Sequence, residues 1–263
     1  MALDPGAQWA VNLTEGGYDN HCRSPDELQN VKKLGFAWRR ILAATATRAP
    51  AAAFEIGCGG AEQMATLALN GFGVTGIDVS PDVLARARAY LSEIETVLGK
   101  PLSAELICQD FFSFETDRRF RLVYHFGVAE HYLHAQDRTR FWAKAVRLAE
   151  PGGWIVSVVP CGRHLMRARM RAEELCGYQG RLAEIDYSAA VHRSEFEAAG
   201  LRDIRVLPHA YFFFLGGHPN SAVRALYRPA FAAGNALLPW LPLPAGLKER
   251  FAHTLIVVGR KPA

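Results

Sequence analysis

The sequence predicts an α/β protein: a mostly parallel seven-stranded sheet with helices on both faces, an N-terminal helical segment and an apolar helical insertion before the last strand. Short apolar runs alternate with helical patterns, which is typical of a parallel sheet covered on both sides. A glycine-rich turn joins the first apolar run to a helix. Half of the 263 residues are hydrophobic and 21% are charged, which excludes a disordered or fibrous chain.

Capping residues, proline and glycine set the predicted boundaries. Ser80-Pro81-Asp82 supplies a cap, a proline at the first helical position and an early acid, so a helix should begin there. The predicted helices of the first 150 residues lie at 26–46, 62–69, 81–98 and 137–149. The predicted strands lie at 51–56, 74–77, 104–108, 120–126 and 154–159.

The last hundred residues complete the sheet around an insertion. We expect an arginine-rich helical segment at 164–176, a helix at 188–199, and strands at 203–214 and 253–259. Between these strands lies the apolar insertion, at about 215–250. Residues 229–247 carry no charge, but prolines at 239, 242 and 244 break a helix before it could cross a bilayer. An apolar cap folded onto the protein is expected, with weak contact to a lipid surface as the alternative.

Charge and cysteine usage restrict the partners and the compartment. Basic and acidic side chains number 30 and 26, and the one basic concentration, at Arg163, Arg167, Arg169 and Arg171, is too small for a nucleic-acid stripe. It is interpreted as a solvated helix face, with an anionic substrate as the alternative. The five cysteines are scattered, which indicates a reducing compartment, and no export signal is expected at the N-terminus, so the predicted location is the cytoplasm.

The turn after the first strand predicts a small-molecule site. Its glycines, Gly57 and Gly59, let the backbone pass close to a ligand at the carboxyl ends of the strands. In a dinucleotide-binding turn a third glycine would stand at position 62, where this chain has Glu62. Because an acid there repels a pyrophosphate, the sequence disfavours NAD.

Two further strand ends carry acids suited to an adenosine. Asp78 ends the second strand, where a carboxylate can accept hydrogen bonds from both ribose hydroxyls. Asp110 follows the third strand after Gln109 and can accept from an adenine amino group while Phe111 covers the ring.

With these motifs the sequence resembles the class I S-adenosylmethionine-dependent methyltransferases, which have a Rossmann-like fold. The resemblance covers 51–159 and the last strand, and rests on five ordered motifs, at 55–61, 77–80, 109–111, 126–131 and 148–153. It implies S-adenosylmethionine as cofactor, S-adenosylhomocysteine as product, and a single domain over 1–263. In that domain 1–48 form a helical cap, 49–160 the cofactor-binding core and 161–263 the substrate-side half.

The resemblance also implies roles for single residues. Glu55 steadies the glycine turn near the amino end of the methionine moiety, and Cys58 and Val79 line the cofactor site. His125 stands in the wall of the site. Tyr18, in the segment ahead of the first strand, is expected to close the methionine side, as Trp9 would close the substrate side; ordinary surface positions are the alternative for both.

The catalytic prediction falls on His131. A neutral imidazole there can take a proton from a hydroxyl or amine as the methyl group arrives, and a structural hydrogen bond is the alternative. Some relatives bind a divalent cation with E-V-x-E-H, but Gly127 replaces the first acid, so we expect no metal.

The predicted function is methyl transfer to oxygen, nitrogen or carbon of a small molecule, with an apolar or aromatic acceptor favoured by the aromatic and proline-rich cap. Three alternatives stay open: a methyltransferase of protein or RNA, an NAD-dependent oxidoreductase, and a non-methylating protein of the same fold. The oligomeric state is not predicted.

Overall fold

The computed structural model describes residues 18–167, 184–213, 215 and 225–263. Its α-helices are α1 (Pro25–Lys32), α2 (Phe36–Thr45), α3 (Glu62–Leu69), α4 (Pro81–Leu98), α5 (Ala135–Leu148), α6 (Ala189–Ala198), α7 (Tyr227–Leu237) and α8 (Ala245–Phe251). Its strands are β1 (Ala52–Ile56), β2 (Gly73–Asp78), β3 (Ala104–Cys108), β4 (Phe120–Phe126), β5 (Ala149–Pro160), β6 (Arg202–Tyr211) and β7 (Ala252–Arg260).

The seven strands form one sheet in the order β3-β2-β1-β4-β5-β7-β6. The pairs β1–β2, β1–β4 and β2–β3 are parallel, with Glu55 level with both Gly76 and Tyr124, and Asp78 level with Cys108. The predicted α/β class with seven strands is confirmed. Within the described ranges, no helix combines the length and apolarity needed to cross a bilayer.

The chain divides into two compact units. The first contains residues 18–126, 143–155 and 260–263, and the second contains 127–142 and the described part of 156–259. The core of the first unit includes Phe54, whose ring lies 5.4 Å from Phe114 and 5.0 Å from Phe120. The core of the second includes Trp142, whose ring lies 4.9 Å from Phe196.

Local signals explain the best-predicted helix. Ser80 accepts a hydrogen bond from the Val83 N–H and Pro81 occupies the first position of α4, while Gly99 ends the helix in the left-handed conformation at φ 72°. The bounds of α3, α4, β3 and β4 agree with the prediction.

Three elements were predicted with wrong boundaries. The single helix expected at 26–46 is two helices, because Lys33 is extended (ψ 116°) and Gly35 begins α2 as its cap. The fifth strand begins at Ala149 rather than 154, because Gly152 and Gly153 exchange backbone hydrogen bonds with Lys261 instead of closing a turn. Strand β6 ends at Tyr211, where Phe212 takes φ 60°.

The interpretation of the arginine-rich segment as a solvated face agrees with Arg163, which is exposed, but is wrong for Arg167. Arg167 is buried rather than solvated, and its guanidinium contacts Asp186 Oδ1 at 2.6 Å and Glu184 Oε2 at 3.5 Å. Most of the helix expected at 164–176, and with it Arg169 and Arg171, lies outside the described residues, as do Trp9 and Phe214.

Gly76 on β2 is where close packing leaves no room for a side chain. A Cβ there would collide with Met64 Sδ and lie 2.8 Å from Cys58 Cβ. We expect Gly76→Ala to destabilise the protein by about 1 to 3 kcal/mol, the usual cost of overpacking a core. Chemical denaturation measures the change. Gly246→Ala on α8 is the matched control, because a Cβ there meets nothing within 4 Å; equal stability of the two variants would contradict the assignment.

Candidate functional site

The candidate site lies in the first unit, where chain order reverses across the sheet. Strand β1 pairs with β2 on one side and β4 on the other, so β1 and β4 flank a crevice at their carboxyl ends. Open α/β sheets bind ligands in such a crevice. The backbone N–H of Gln109 donates to Asp78 O at 3.0 Å, which brings the third strand end beside the second.

The turn between β1 and α3 has an unusual backbone. Gly57, Gly59 and Ala61 all have positive φ, at 66°, 51° and 63°. Two hydrogen bonds stabilise this turn: Cys58 N–H donates to Ile77 O at 3.0 Å, and Ala61 N–H donates to Cys58 O at 2.9 Å. The left-handed conformation costs a non-glycine residue about 1 to 2 kcal/mol. Ala61 therefore carries a strain that this turn tolerates.

Asp78 ties the end of β2 to this turn. Its Oδ2 accepts a hydrogen bond from the Gly59 N–H and its Oδ1 accepts one from the Ser80 N–H, both at 3.0 Å. Each carboxylate oxygen has a second lone pair. Burial raises the pKa of Asp78, and the backbone donors oppose that shift. The carboxylate is therefore fixed in place while keeping acceptor capacity for a ligand.

Glu55 is a buried acid beneath the turn. Tyr124 donates its hydroxyl hydrogen bond to Glu55 Oε2 at 3.0 Å, and the Trp38 ring meets the Tyr124 ring edge-on at 5.0 Å. Burial raises the pKa of Glu55 well above its usual range, while hydrogen bonds from Tyr124 and the Met64 amide oppose the shift. A cationic group bound nearby would lower this pKa and favour the carboxylate.

The Tyr124–Glu55 contact was not found from the sequence. The two residues are 69 positions apart, and the signal that could have found it is the parallel register of β1 and β4, in which they are level. Cys58 is buried, and burial raises the pKa of its thiol. A thiol held protonated is a lining group rather than a nucleophile.

Tyr18 packs directly against the glycine turn. A Cβ at Gly59 would lie 2.8 Å from Tyr18 Cε1, and a Cβ at Gly60 would lie 2.8 Å from Asn20 Nδ2. Tyr18 thus occupies space that only glycine at these positions leaves open. The structure brings Tyr18 together with Gly59, while its role toward the methionine side stays a prediction.

The third strand end is more exposed than the first two. Asp110 Oδ1 accepts the Ser113 N–H at 3.0 Å, and Gln109 Nε2 donates to Ser113 O at 3.2 Å. Both side chains are exposed. Phe111 is buried, with Lys144 Nζ 5.8 Å from its ring centre. The adenine-facing role of these three residues stays a prediction.

The last two predicted site residues lie at the carboxyl ends of β2 and β4. Val79 directly follows Asp78 and is half-buried, and His125 is buried near the end of β4. Their placement agrees with a lining position in the first unit, and their contact with a cofactor stays a prediction.

The predicted base belongs to the second unit. His131 ends a short 3-10 turn, Ala129–His131, and is half-buried. Its backbone N–H donates to Val128 O at 3.1 Å. Among the described residues, no group of three histidines, cysteines or acids is arranged to hold a metal ion.

Glu130, beside it, is an acid whose burial the sequence did not predict. Its side chain is 2% exposed, and its Oε2 has no hydrogen-bond partner in the described part of the chain. Burial raises the pKa of Glu130 to about 8; the charge of Glu184 adds to this, while the group's own backbone hydrogen bond and the charge of Arg167 oppose it. Glu130 therefore holds a proton at neutral pH.

The proton on Glu130 makes stability depend on pH. The folded-state pKa of about 8 lies above the ordinary value of 4.5, so the folded state binds more protons between these values and stability falls as pH rises through the window. We expect Glu130→Gln to remove this loss, so that its free energy of unfolding gains about 2 kcal/mol or more over the native chain between pH 5 and 8.5.

Denaturant titrations across that pH range measure the difference. Glu197→Gln, at an exposed position of α6 in the same unit, is the matched control and should follow the native pH profile. A Glu130→Gln profile parallel to the native one would contradict a raised pKa.

Comparison with known proteins finds similarity to methyltransferases over part of the chain. A family profile described as a methyltransferase domain matches residues 53–153. A ubiquinone biosynthesis O-methyltransferase from Thiobacillus denitrificans is 33% identical over 112 residues, which are 41% of this chain and 45% of that protein. The chain thus spans less than half the length of this curated relative.

Solved structures share the fold at low identity. A SAM-dependent methyltransferase from Archaeoglobus fulgidus superposes with a TM-score of 0.58 at 14% identity, covering 95% of this chain and 99% of that one. A Haemonchus contortus phosphoethanolamine N-methyltransferase 2, in complex with phosphomonomethylethanolamine and S-adenosylhomocysteine, gives 0.59 at 15% identity, covering 97% and 59%. Residues 53–153 therefore match a methyltransferase domain, and the chain shares the fold of the class I S-adenosylmethionine-dependent methyltransferases.

Proposed function

We propose that this protein transfers the methyl group of S-adenosylmethionine to oxygen, nitrogen or carbon of a small-molecule acceptor, apolar or aromatic in character and belonging to specialised metabolism. One observation carries the proposal: at the carboxyl end of β2, the backbone amides of Gly59 and Ser80 fix the Asp78 carboxylate. That arrangement presents acceptors of known position to the two hydroxyls of a ribose.

The acids of the first unit suit the charges of the cofactor. Asp78 would hold the ribose, and Gln109 with Asp110 would meet the adenine. Glu55, whose pKa is raised by burial, gains most from a positively charged neighbour such as the methionine ammonium. Glu62 begins α3 directly after the turn and would repel a pyrophosphate, so the same residues fit a dinucleotide poorly.

When bound, the cofactor supplies a methyl group already activated by its sulfonium. The work left to the chain is to hold a nucleophile in line at about 3 Å, to exclude water, and to accept a proton where the acceptor carries one. His131 is the proposed base, with its imidazole taking that proton.

A small-molecule acceptor is supported by the relatives. The curated relative is named for ubiquinone biosynthesis, and one structural neighbour is named for phosphoethanolamine. Methylation of protein or RNA is the second candidate; binding of an oligonucleotide with a steep salt dependence would favour it. A protein that binds the cofactor and methylates nothing would retain affinity and give no product from any acceptor panel. The cytoplasmic location also stays a prediction.

Asp78→Ala tests the cofactor site. Removing the charged acceptor is expected to weaken S-adenosylhomocysteine binding by about 1.5 to 3 kcal/mol, measured by isothermal titration. Glu105→Ala, an exposed acid on β3 paired with Arg118, is the control and should bind normally. Circular dichroism checks that both variants fold. Native affinity in folded Asp78→Ala refutes the assignment, and NADH binding without S-adenosylhomocysteine binding supports the oxidoreductase.

His131→Ala tests the base. We expect native affinity for S-adenosylhomocysteine and slower methyl transfer, with the rate regained as pH rises and the acceptor loses its proton unaided. His134→Ala, an exposed histidine in the same unit, should keep the native rate and pH profile. Mass spectrometry of cell extract incubated with labelled cofactor identifies the acceptor for this assay. An unchanged rate in His131→Ala means that the imidazole is structural.

A further inference from the structure

The segment between β6 and β7 exposes an apolar surface. We call it the 237–247 surface, and its exposed large side chains are Leu237, Trp240, Leu241, Leu243 and Leu247. Trp240 is 86% exposed and Leu237 is 62% exposed. Every residue from 240 to 245 is exposed, and all six are apolar. Water-facing apolar side chains grouped in this way mark an interaction site.

Helix α7, which ends at Leu237, is held in place by contacts on its opposite side. Asn235 Oδ1 accepts the Ala210 N–H of β6 at 3.0 Å, and its Nδ2 donates to Phe231 O at 2.8 Å. Gly234 approaches so closely that a Cβ there would lie 2.8 Å from Phe212 Cδ2. Because the buried side of α7 is already packed, Leu237 at its end cannot turn inward without breaking these contacts.

The loop after α7 is held as well. Trp240 N–H donates to Leu237 O, and Lys248 Nζ donates to Pro239 O, both at 3.0 Å. The exposed tryptophan thus belongs to a defined turn.

The exposed charges of the segment 225–251 have one sign. Arg228 and Arg250 are exposed, and Lys248 is partly exposed. The one acid between 225 and 251 is Glu249, which is buried and whose Oε2 accepts the Ala189 N–H at 3.1 Å. The exposed charged side chains of this segment are therefore all basic.

We propose that the 237–247 surface binds the face of an anionic phospholipid bilayer. Tryptophan prefers the boundary between headgroups and acyl chains, leucines enter the outer part of the hydrocarbon, and basic side chains pair with anionic headgroups. A second copy of the chain fits less well, because a two-fold interface through this segment would bring its basic side chains near those of the other copy. The binding is peripheral, since α7 has 11 residues and spans about 16 Å against about 30 Å of hydrocarbon.

Vesicle sedimentation tests the proposal. The full chain should sediment with vesicles of phosphatidylcholine and phosphatidylglycerol, bind phosphatidylcholine alone more weakly, and lose affinity as salt rises. Trp240→Ala should reduce the affinity by about tenfold. Val191→Ala, at an exposed apolar position on α6, is the matched control and should bind as the native chain does. Arg228→Gln with Arg250→Gln should reduce binding to the anionic vesicles selectively.

Fluorescence locates the contact. The emission spectrum of Trp240→Phe is subtracted from that of the native chain, and the difference is the emission of Trp240. Trp38, Trp142 and Trp154 are at most 6% exposed. The Trp240 emission should shift to the blue with anionic vesicles and be quenched by brominated acyl chains. Isothermal titration with S-adenosylhomocysteine checks that each variant folds.

Two results overturn the proposal. One is equal sedimentation of the native chain and Trp240→Ala. The other is a dimer in sedimentation equilibrium that Trp240→Ala dissociates, with no binding to either vesicle, which would assign the surface to a second copy.

Discussion

The hydrogen bond from the Gly59 amide to the Asp78 carboxylate is the contact on which the site in the first unit depends. It joins the end of one strand to the turn after its neighbour, and the second oxygen joins the following helix through Ser80. The glycines allow the turn to take a left-handed backbone, and the carboxylate gives that backbone a charged partner. One side chain therefore fixes the turn, and the same side chain is the one proposed to hold the ribose.

Glu55, Glu130 and Arg167 are three ionisable side chains that the structure buries. Glu55 in the first unit and Glu130 in the second are both buried acids with raised pKa values, but their surroundings differ. Glu55 receives hydrogen bonds, whereas Glu130 Oε2 has no partner among the described residues. Arg167 is buried with two acids of its own. An ionised Glu55 needs a nearby cation, and Glu130 is stable when neutral.

Sequence reasoning succeeded where a signal is local. Each of these signals spans only a few residues: the cap at Ser80, the glycine at 99 and the alternation of apolar runs. Helix α4 and the central strands were therefore placed correctly. It failed where partners are distant in sequence. No local sequence pattern predicts that Gly152 pairs with Lys261, or that Arg167 forms an ion pair with Asp186. The acids of the proposed cofactor site could be located because each lies at or near a strand end, whereas the contact of Tyr124 with Glu55 required the register.

The packing of Tyr18 on the glycine turn links three positions of the sequence. Gly60 lacks the left-handed backbone of Gly59, so its missing side chain is explained by crowding: a Cβ would lie 2.8 Å from Asn20 Nδ2 and 3.1 Å from Tyr18 Cβ. Positions 18, 20 and 60 should therefore covary among homologues, with alanine tolerated at 60 where the leading segment carries smaller residues. Position 59 has less freedom, because a side chain there would carry the cost of the left-handed backbone and would also lie 2.8 Å from Tyr18 Cε1.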